Sequence, residues 1–267
     1  MRVRTIIQMI PDDTKYEMIY SNALRGLHGS LPKNKISFKQ IEDIEHIKYK
    51  MELLGLPVLE LSNTAIRVIK NDDLMILSTK PILICKGNFG SLFSNLNIAT
   101  VDASNTYVES VQCLFKRCRA SSIIVDNLKV LDNEKSAFEM FCGCDNLTKI
   151  HLGNVDLSQV TDMEAMFMNC TNLEEIDFGD TAIHNIINLI NTFCGCRSLK
   201  KIKMNNIKVA NNEKIIADDM LLYATELERI DIPKIKVEVF NNYRTGLRPS
   251  NALKIKGKDG LKVFNYT

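Results

Sequence analysis

The chain has 267 residues and no apolar run approaching the ~18 residues that a membrane-spanning helix needs. A phosphate-binding loop is also missing: Arg25-Gly-Leu-His-Gly29 is the nearest approach, and it is too short and irregular to cradle a phosphate. Histidine is scarce. His28, His46, His151 and His184 stand in no catalytic motif. Pairing His151 with a repeat cysteine would leave the thiol in the core and the imidazole outside it. No catalytic residue and no cofactor are therefore expected, and the chain does not read as an enzyme. The N-terminus lacks the long apolar segment and small-residue cleavage site of a secretory leader. Met1-Arg-Val-Arg-Thr-Ile-Ile-Gln-Met-Ile10 runs into Pro11-Asp12-Asp13 and reads as a first strand. The expected address is cytoplasmic, with secretion or a surface location the alternative for a chain whose leader has been removed.

Apolar residues make up 45% of the chain and charged residues 25%, enough for a sizeable core under a charged surface. The net charge of +2 conceals a polarity along the sequence. From Arg197 onward there are 15 Lys and Arg against 8 Asp and Glu, while the preceding part carries 19 against 24. A basic end suits either an acidic partner, nucleic acid included, or plain solubility.

Aligning the chain on itself exposes a repeat. Phe115, Phe141, Phe167 and Phe193 are 26 residues apart, and Cys118, Cys144, Cys170 and Cys196 keep the same interval. An apolar triplet follows each cysteine: Leu147-x-x-Ile150-x-Leu152, Leu173-x-x-Ile176-x-Phe178, Leu199-x-x-Ile202-x-Met204 and, further on, Leu227-x-x-Ile230-x-Ile232. Looser copies occur at Leu56-x-x-Leu59-x-Leu61, Ile98-x-x-Val101-x-Ala103 and Ala120-x-x-Ile123-x-Val125, with a further strand at Ile82-Leu83-Ile84. Alternation of period two makes each triplet a half-buried strand. Between triplets the period changes. Val160, Met163 and Phe167, like Ile186, Leu189 and Phe193, stand at i, i+3 and i+7, which predicts a short helical turn.

One strand and one turn per repeat specify an α/β repeat fold: a leucine-rich-repeat solenoid with a parallel sheet on one face and short helical turns on the other. The expected organisation is an N-terminal α/β cap over 1–55, about eight coils over 56–240 and a C-terminal β-hairpin cap over 241–267. Thr14–Leu27 and Phe38–Leu54 read as the amphipathic helices of the first cap. Gly257-Lys-Asp-Gly260, between Leu253–Lys256 and Leu261–Phe264, reads as the hairpin turn of the second.

The segment Val160-Thr-Asp-Met-Glu-Ala-Met-Phe-Met-Asn-Cys170, with Leu173-Glu-Glu-Ile-Asp-Phe178 after it, closely resembles the BspA-like branch of leucine-rich repeats. The likeness is good over about 110–235, weak over 56–109 and absent at both ends; residues 220–224, Met-Leu-Leu-Tyr-Ala, lack the Phe and Cys. The resemblance implies a binding protein, since the branch is best known for secreted or surface adhesins that hold host proteins.

Cys142-Gly-Cys144 and Cys194-Gly-Cys196 look like metal half-sites, but they lie two repeats and so roughly 10 Å apart in a stack, against a Zn–S bond of about 2.3 Å. No metal is expected. The recurring cysteine reads as a small buried residue filling the turn. Eight unpaired thiols also suit a reducing compartment.

The outward strand positions remain. They are Lys149 and His151, Glu175 and Asp177, Lys201 and Lys203, then Arg229 and Asp231, with Leu83, Asp102 and Ile124 towards the N-terminus. Stacked in register they form either a self-neutralising charge ladder or a docking face for another protein, with Ile124 and Leu83 as an apolar anchor. Alternating sign suits a phosphate backbone poorly. Nucleic acid is expected only indirectly or through the basic C-terminal end. Three roles follow: a non-enzymatic protein-binding module, a surface adhesin, or a small inhibitor or effector that clamps a host enzyme, one handling nucleic acid included.

Overall fold

The computed structural model describes residues 15–20, 32–85, 93–131, 135–181, 183–204, 207–209, 215–231, 237–242, 254–256 and 261–266. The chain begins with β1 (Glu17–Ile19) and β2 (Lys35–Gln40), followed by α1 (Ile44–Leu53), the one α-helix among the described residues. A meander comes next: β3 (Val58–Ser62), β4 (Ala65–Lys70) and β5 (Asp73–Ser78). The later strands are mostly short: β6 (Ile82–Ile84), β7 (Thr100–Asp102), β8 (Tyr107–Val108), β9 (Ser122–Ile124), β10 (Lys129–Val130) and β11 (Lys149–His151). They continue as β12 (Glu175–Asp177), β13 (Ile183–Ile186), β14 (Lys201–Lys203), β15 (Ile207–Val209), β16 (Arg229–Asp231), β17 (Val237–Asn242), β18 (Lys254–Lys256) and β19 (Leu261–Tyr266).

The repeat strands form a main row of parallel pairs. In its first sheet β2, β7 and β9 align Ile36, Val101 and Ile123. In its second, β11, β12, β14, β16 and β18 align Ile150, Ile176, Ile202, Ile230 and Ile255. The two sheets meet where β9 lies against β11. A second row runs beside the first as β1-β6-β8-β10, β13-β15 and β17-β19, again all parallel.

Between the rows lies the segment whose spacing predicts a helical turn, and it is not a helix. Its N–H groups point alternately within the repeat and out of it. Met140, Cys142 and Cys144 donate to the carbonyls three residues back, whereas Glu139, Phe141 and Gly143 donate to Glu164, Met166 and Met168 of the next repeat. Such a chain of tight turns needs a left-handed residue every fourth position. The residues there are Cys113 and Arg117, Glu139 and Gly143, Ala165 and Asn169, Asn191 and Gly195, then Asp219 and Tyr223, all at positive φ. The i, i+3, i+7 pattern survives because Val160, Met163 and Phe167 are still buried. Spacings of three and four serve either geometry. Four of the five segments are opened by a short polar side chain, Ser110, Ser136, Asp162 and Asn188, each accepting from the N–H two residues on, and Ile216 takes that position in the fifth.

Phenylalanine and cysteine bind the repeats to one another. The rings of Phe93, Phe115, Phe141, Phe167 and Phe193 stack at centroid distances of 5.1, 5.2, 5.2 and 5.8 Å. All five are fully buried, each contributing about 1.5–3 kcal/mol by burial and each pair about 0.5–1.5 kcal/mol more. The thiols of Cys144, Cys170 and Cys196 donate to the carbonyl oxygens of Phe115, Phe141 and Phe167 in the preceding repeat, at 3.1, 3.1 and 3.0 Å. The cysteine is thus a hydrogen-bond donor as well as a filler. Burial pushes the Cys118 thiol up to about 11 and also raises Cys196. None of the eight cysteines is joined in a disulfide.

At the N-terminal end the structure corrects the expected helices. Glu17–Ile19 is strand β1, beside β6, and the rest of the expected first helix, like the strand expected over 1–10, lies outside the described residues. Phe38 belongs to β2, where Ile36 and Phe38 are buried at period two; the helix starts only after Asp43, whose carboxylate accepts from the His46 N–H. The copy expected at Leu56–Leu61 is instead β3, the antiparallel edge of the meander β3-β4-β5. Asn71 and Asp72 join β4 to β5 with positive φ at both, as a two-residue hairpin requires. At the other end the expected hairpin is absent: β18 pairs in parallel with β16, and β19 with β17. Ile255 keeps the register of Ile230, so the segment is one more repeat strand, and the turn expected at Gly257–Gly260 lies outside the described residues.

Gly195 sits at φ +77° where a Cβ would collide with Asn169 Oδ1, whereas Gly55 at +65° has open space around it. Gly195→Ala should cost about 1–3 kcal/mol in chemical denaturation, and Gly55→Ala measurably less because it carries the backbone strain alone. Alkylation with iodoacetamide should reach Cys113 in the native protein, while Cys118, Cys144, Cys170 and Cys196 react only at the rate of global unfolding. Equal rates would contradict a buried thiol row.

Candidate docking face

Strand alternation decides which side chains leave the core. In β7, β9, β11, β12 and β14 the middle residue is buried and its two neighbours point outward, while in β16 Arg229 points outward and Asp231, in the outward register, is buried beside it. Register then stacks these neighbours in two columns. One runs Lys149, Glu175, Lys201 and Arg229; the other runs His151, Asp177, Lys203 and Asp231. Across the seam they are continued by Thr100 and Ser122 and by Asp102 and Ile124.

The structure thus brings ten of the eleven expected residues to one face: Asp102, Ile124, Lys149, His151, Glu175, Asp177, Lys201, Lys203, Arg229 and Asp231. Leu83 is the exception. It lies in β6 of the second row, between β1 and β8, and is fully buried. All three residues of that strand are buried, so its alternation marks no outward side. Lys35 belongs to the face but follows from no sequence expectation, since the helix expected over Phe38–Leu54 takes only the end of β2 and leaves Lys35 in no element. Its ammonium lies 2.9 Å from Asp102.

The centre of the face is neutralised from within. Lys203 Nζ sits 2.7 Å from Asp177 and 2.9 Å from Glu175, and Lys201 reaches Glu175 at 3.7 Å. The hydrogen bond from Lys203 holds the Glu175 carboxyl below its usual range. Burial pushes Asp177 up, but Lys203 and the Gly179 N–H together bring it below its ordinary value. The Asp177 and Glu175 hydrogen bonds in turn raise Lys203. Arg229 closes on Asp231 of its own strand at 2.8 Å. Towards the seam the charges are looser. Lys149 is exposed, His151 is exposed with Nδ1 3.9 Å from Asp177, and half-buried Ile124 lies next to them. Gly179 seats the imidazole, since a Cβ there would stand 2.8 Å from His151 Cε1.

A parallel sheet of repeat strands with a buried Leu-x-x-Leu-x-Leu pattern defines a leucine-rich-repeat protein. The family model of the BspA type leucine rich repeat region matches the chain in six copies, over residues 90–178 and 138–245. The chain belongs to this family. Neither the curated proteins nor the solved structures give a match. Among the described residues no helix is long and apolar enough to cross a membrane.

Glu175 and Asp177 have depressed folded values, so their contribution to stability is present above the unfolded carboxylate range and is lost as pH falls through the folded values, below about 4. Lys203→Met should move both carboxyls back towards ordinary values in a 13C NMR titration. At neutral pH it should cost about 0.2–1 kcal/mol, as exposed pairs do. Carboxyl titrations unchanged by the substitution would mean that Lys203 does not govern them.

Proposed function

We propose that this chain is a leucine-rich-repeat solenoid acting as a non-enzymatic protein-binding module, with the main-row face from Asp102 to Asp231 as its contact surface. One observation carries the reading: ten residues from six strands, all but buried Asp231 reaching solvent, are gathered on one face by the packing of the core. A rigid array of this kind loses little freedom when a partner docks, so more of the contact energy appears as affinity. The family supports a role in protein interaction. An adhesin holding a host protein is the second reading, and it rests on the family's adhesin-like character. The mixed sign of the columns favours a protein of matching charge pattern over a polyanion.

The decisive comparison uses the full chain as bait in a lysate of its own cells and in extracts of surfaces those cells meet. A protein captured by the native chain and lost with Lys201→Glu/Lys203→Glu, at unchanged Tm, assigns docking to this face. Capture that survives the double reversal moves the contact elsewhere. Which extract yields the protein separates the internal module from the adhesin.

A further inference from the structure

A polar groove runs along the edge where the turn segments pass into the main-row strands. It consists of two adjoining depressions of about 700 and 680 Å³ that share Asn97 and Arg119. One wall is a row of equivalent repeat positions, Asn97, Arg119, Asn146, Asn172 and Ser198. Arg119 is the one charged member of that row. Arg117 lines the second depression, and its stem lies on the bare backbone of the next repeat, where a Cβ on Gly143 would stand 3.1 Å from Arg117 Cγ. Gly143 thus makes room for the arginine to lie along the groove.

The groove's charges are unequally satisfied. Glu139 is paired with Lys116, and Glu174 with Lys200 at 3.3 Å. Arg117 and Arg119 are exposed and have no ion-pair partner among the described residues, and neither does Lys33 at the far rim. Asp145 is the one carboxylate in the lining left to oppose them. The amides add direction. Asn146 and Asn172 donate through Nδ2 to the carbonyls of Arg119 and Asp145, at 2.8 and 2.7 Å, which leaves their Oδ1 atoms as acceptors.

We propose that this groove binds an acidic, extended peptide segment of a partner protein, whose carboxylates seat on Arg117 and Arg119. The planar guanidinium fork matches a carboxylate in two parallel hydrogen bonds. Free amide acceptors suit the N–H groups of a peptide backbone and have nothing to offer a phosphate, which carries no donor. The carboxylates of Glu139, Asp145 and Glu174 also interrupt the continuous basic stripe that a nucleic acid follows. The inference stands apart from the docking face, because no residue is shared between the two.

The test is fluorescence anisotropy of a fluorescein-labelled peptide of alternating Glu and Ser, titrated with the full chain at low ionic strength. Binding should be saturable and should weaken by about tenfold or more in Arg117→Ala/Arg119→Ala. Partial recovery is expected in Arg117→Lys/Arg119→Lys, where the charge returns without the fork. Both variants alter exposed side chains, and an unchanged Tm verifies their fold. Lys201→Glu/Lys203→Glu should bind the peptide as the native chain does. The proposal is overturned by no binding to the native chain, by equal binding of the Gln–Ser counterpart, or by unchanged affinity in the alanine double variant. Tighter binding of a single-stranded oligonucleotide of equal length would give the groove to nucleic acid instead. Loss of the peptide in Lys201→Glu/Lys203→Glu would place it on the sheet face.

Discussion

The structure depends on one contact carried from repeat to repeat: a phenylalanine ring stacked on the next ring and, at Cys144, Cys170 and Cys196, a thiol three residues further on bonded back to the preceding repeat's phenylalanine carbonyl. The rings hold neighbouring repeats at 5.1–5.8 Å, close to the ~4.8 Å spacing of paired strands. The same translation therefore satisfies the ring stack, the strand ladder and the turn-to-turn hydrogen bonds together. No repeat can slip by one residue without turning its buried isoleucine outward. One continuous core from Ile19 to Ile230 results.

The register that the core imposes also determines the outer face. Since Ile150, Ile176, Ile202 and Ile230 are aligned, their neighbours have no freedom over whom they face. Glu175 and Asp177 are flanked by Lys201 and Lys203 on one side and by Lys149 and His151 on the other. This placement neutralises the centre of the sheet. The charge ladder and the proposed docking surface are the same residues under two descriptions. A self-paired centre gives up some attraction for a partner and gains a fixed arrangement of side chains.

What the sequence made legible follows from what repeats. The 26-residue interval located the core phenylalanines, the buried cysteines and the outward strand positions, because each recurs in the same surroundings. Phe93 belongs to the ring stack too, yet it precedes Phe115 by 22 residues and so fell outside the interval. The turn segments were misread for a different reason. Apolar spacing reports which side faces the core, not the path of the backbone, and a run of tight turns satisfies it as well as a helix does. Their signal was the recurrence of residues tolerant of positive φ, Gly143, Asn169 and Gly195, at one repeat position. The ends were hardest, because β2 is held by pairings with the distant strands β5 and β7 that no local pattern announces, and the triplet at Leu56–Leu61 mimics a repeat strand while pairing locally in the meander. Leu83 was lost in the same way: a strand covered on both sides shows no outward residue by alternation.

A repeat protein makes its surface from positions that the core leaves unconstrained, so distinctiveness must come from departures from the repeat. Here the departures gather in two places. At the seam between the two main-row sheets Ile124 replaces a charge, and exposed Lys149 and His151 stand beside it. On the adjoining edge Arg119 interrupts a row of amides and a hydroxyl, while Arg117 occupies a left-handed position where the next three repeats carry Gly or Asn and the last described one carries Tyr223. An arginine held at positive φ costs about 1–2 kcal/mol relative to glycine. The stacking of its stem on Gly143 offsets part of that cost. A side chain kept in a strained backbone position, with no ion-pair partner among the described residues, is a departure that packing alone does not account for. Both departures fall in the first complete repeats, before the self-neutralised columns begin, which places the molecule's most individual chemistry at the N-terminal half of its sheet.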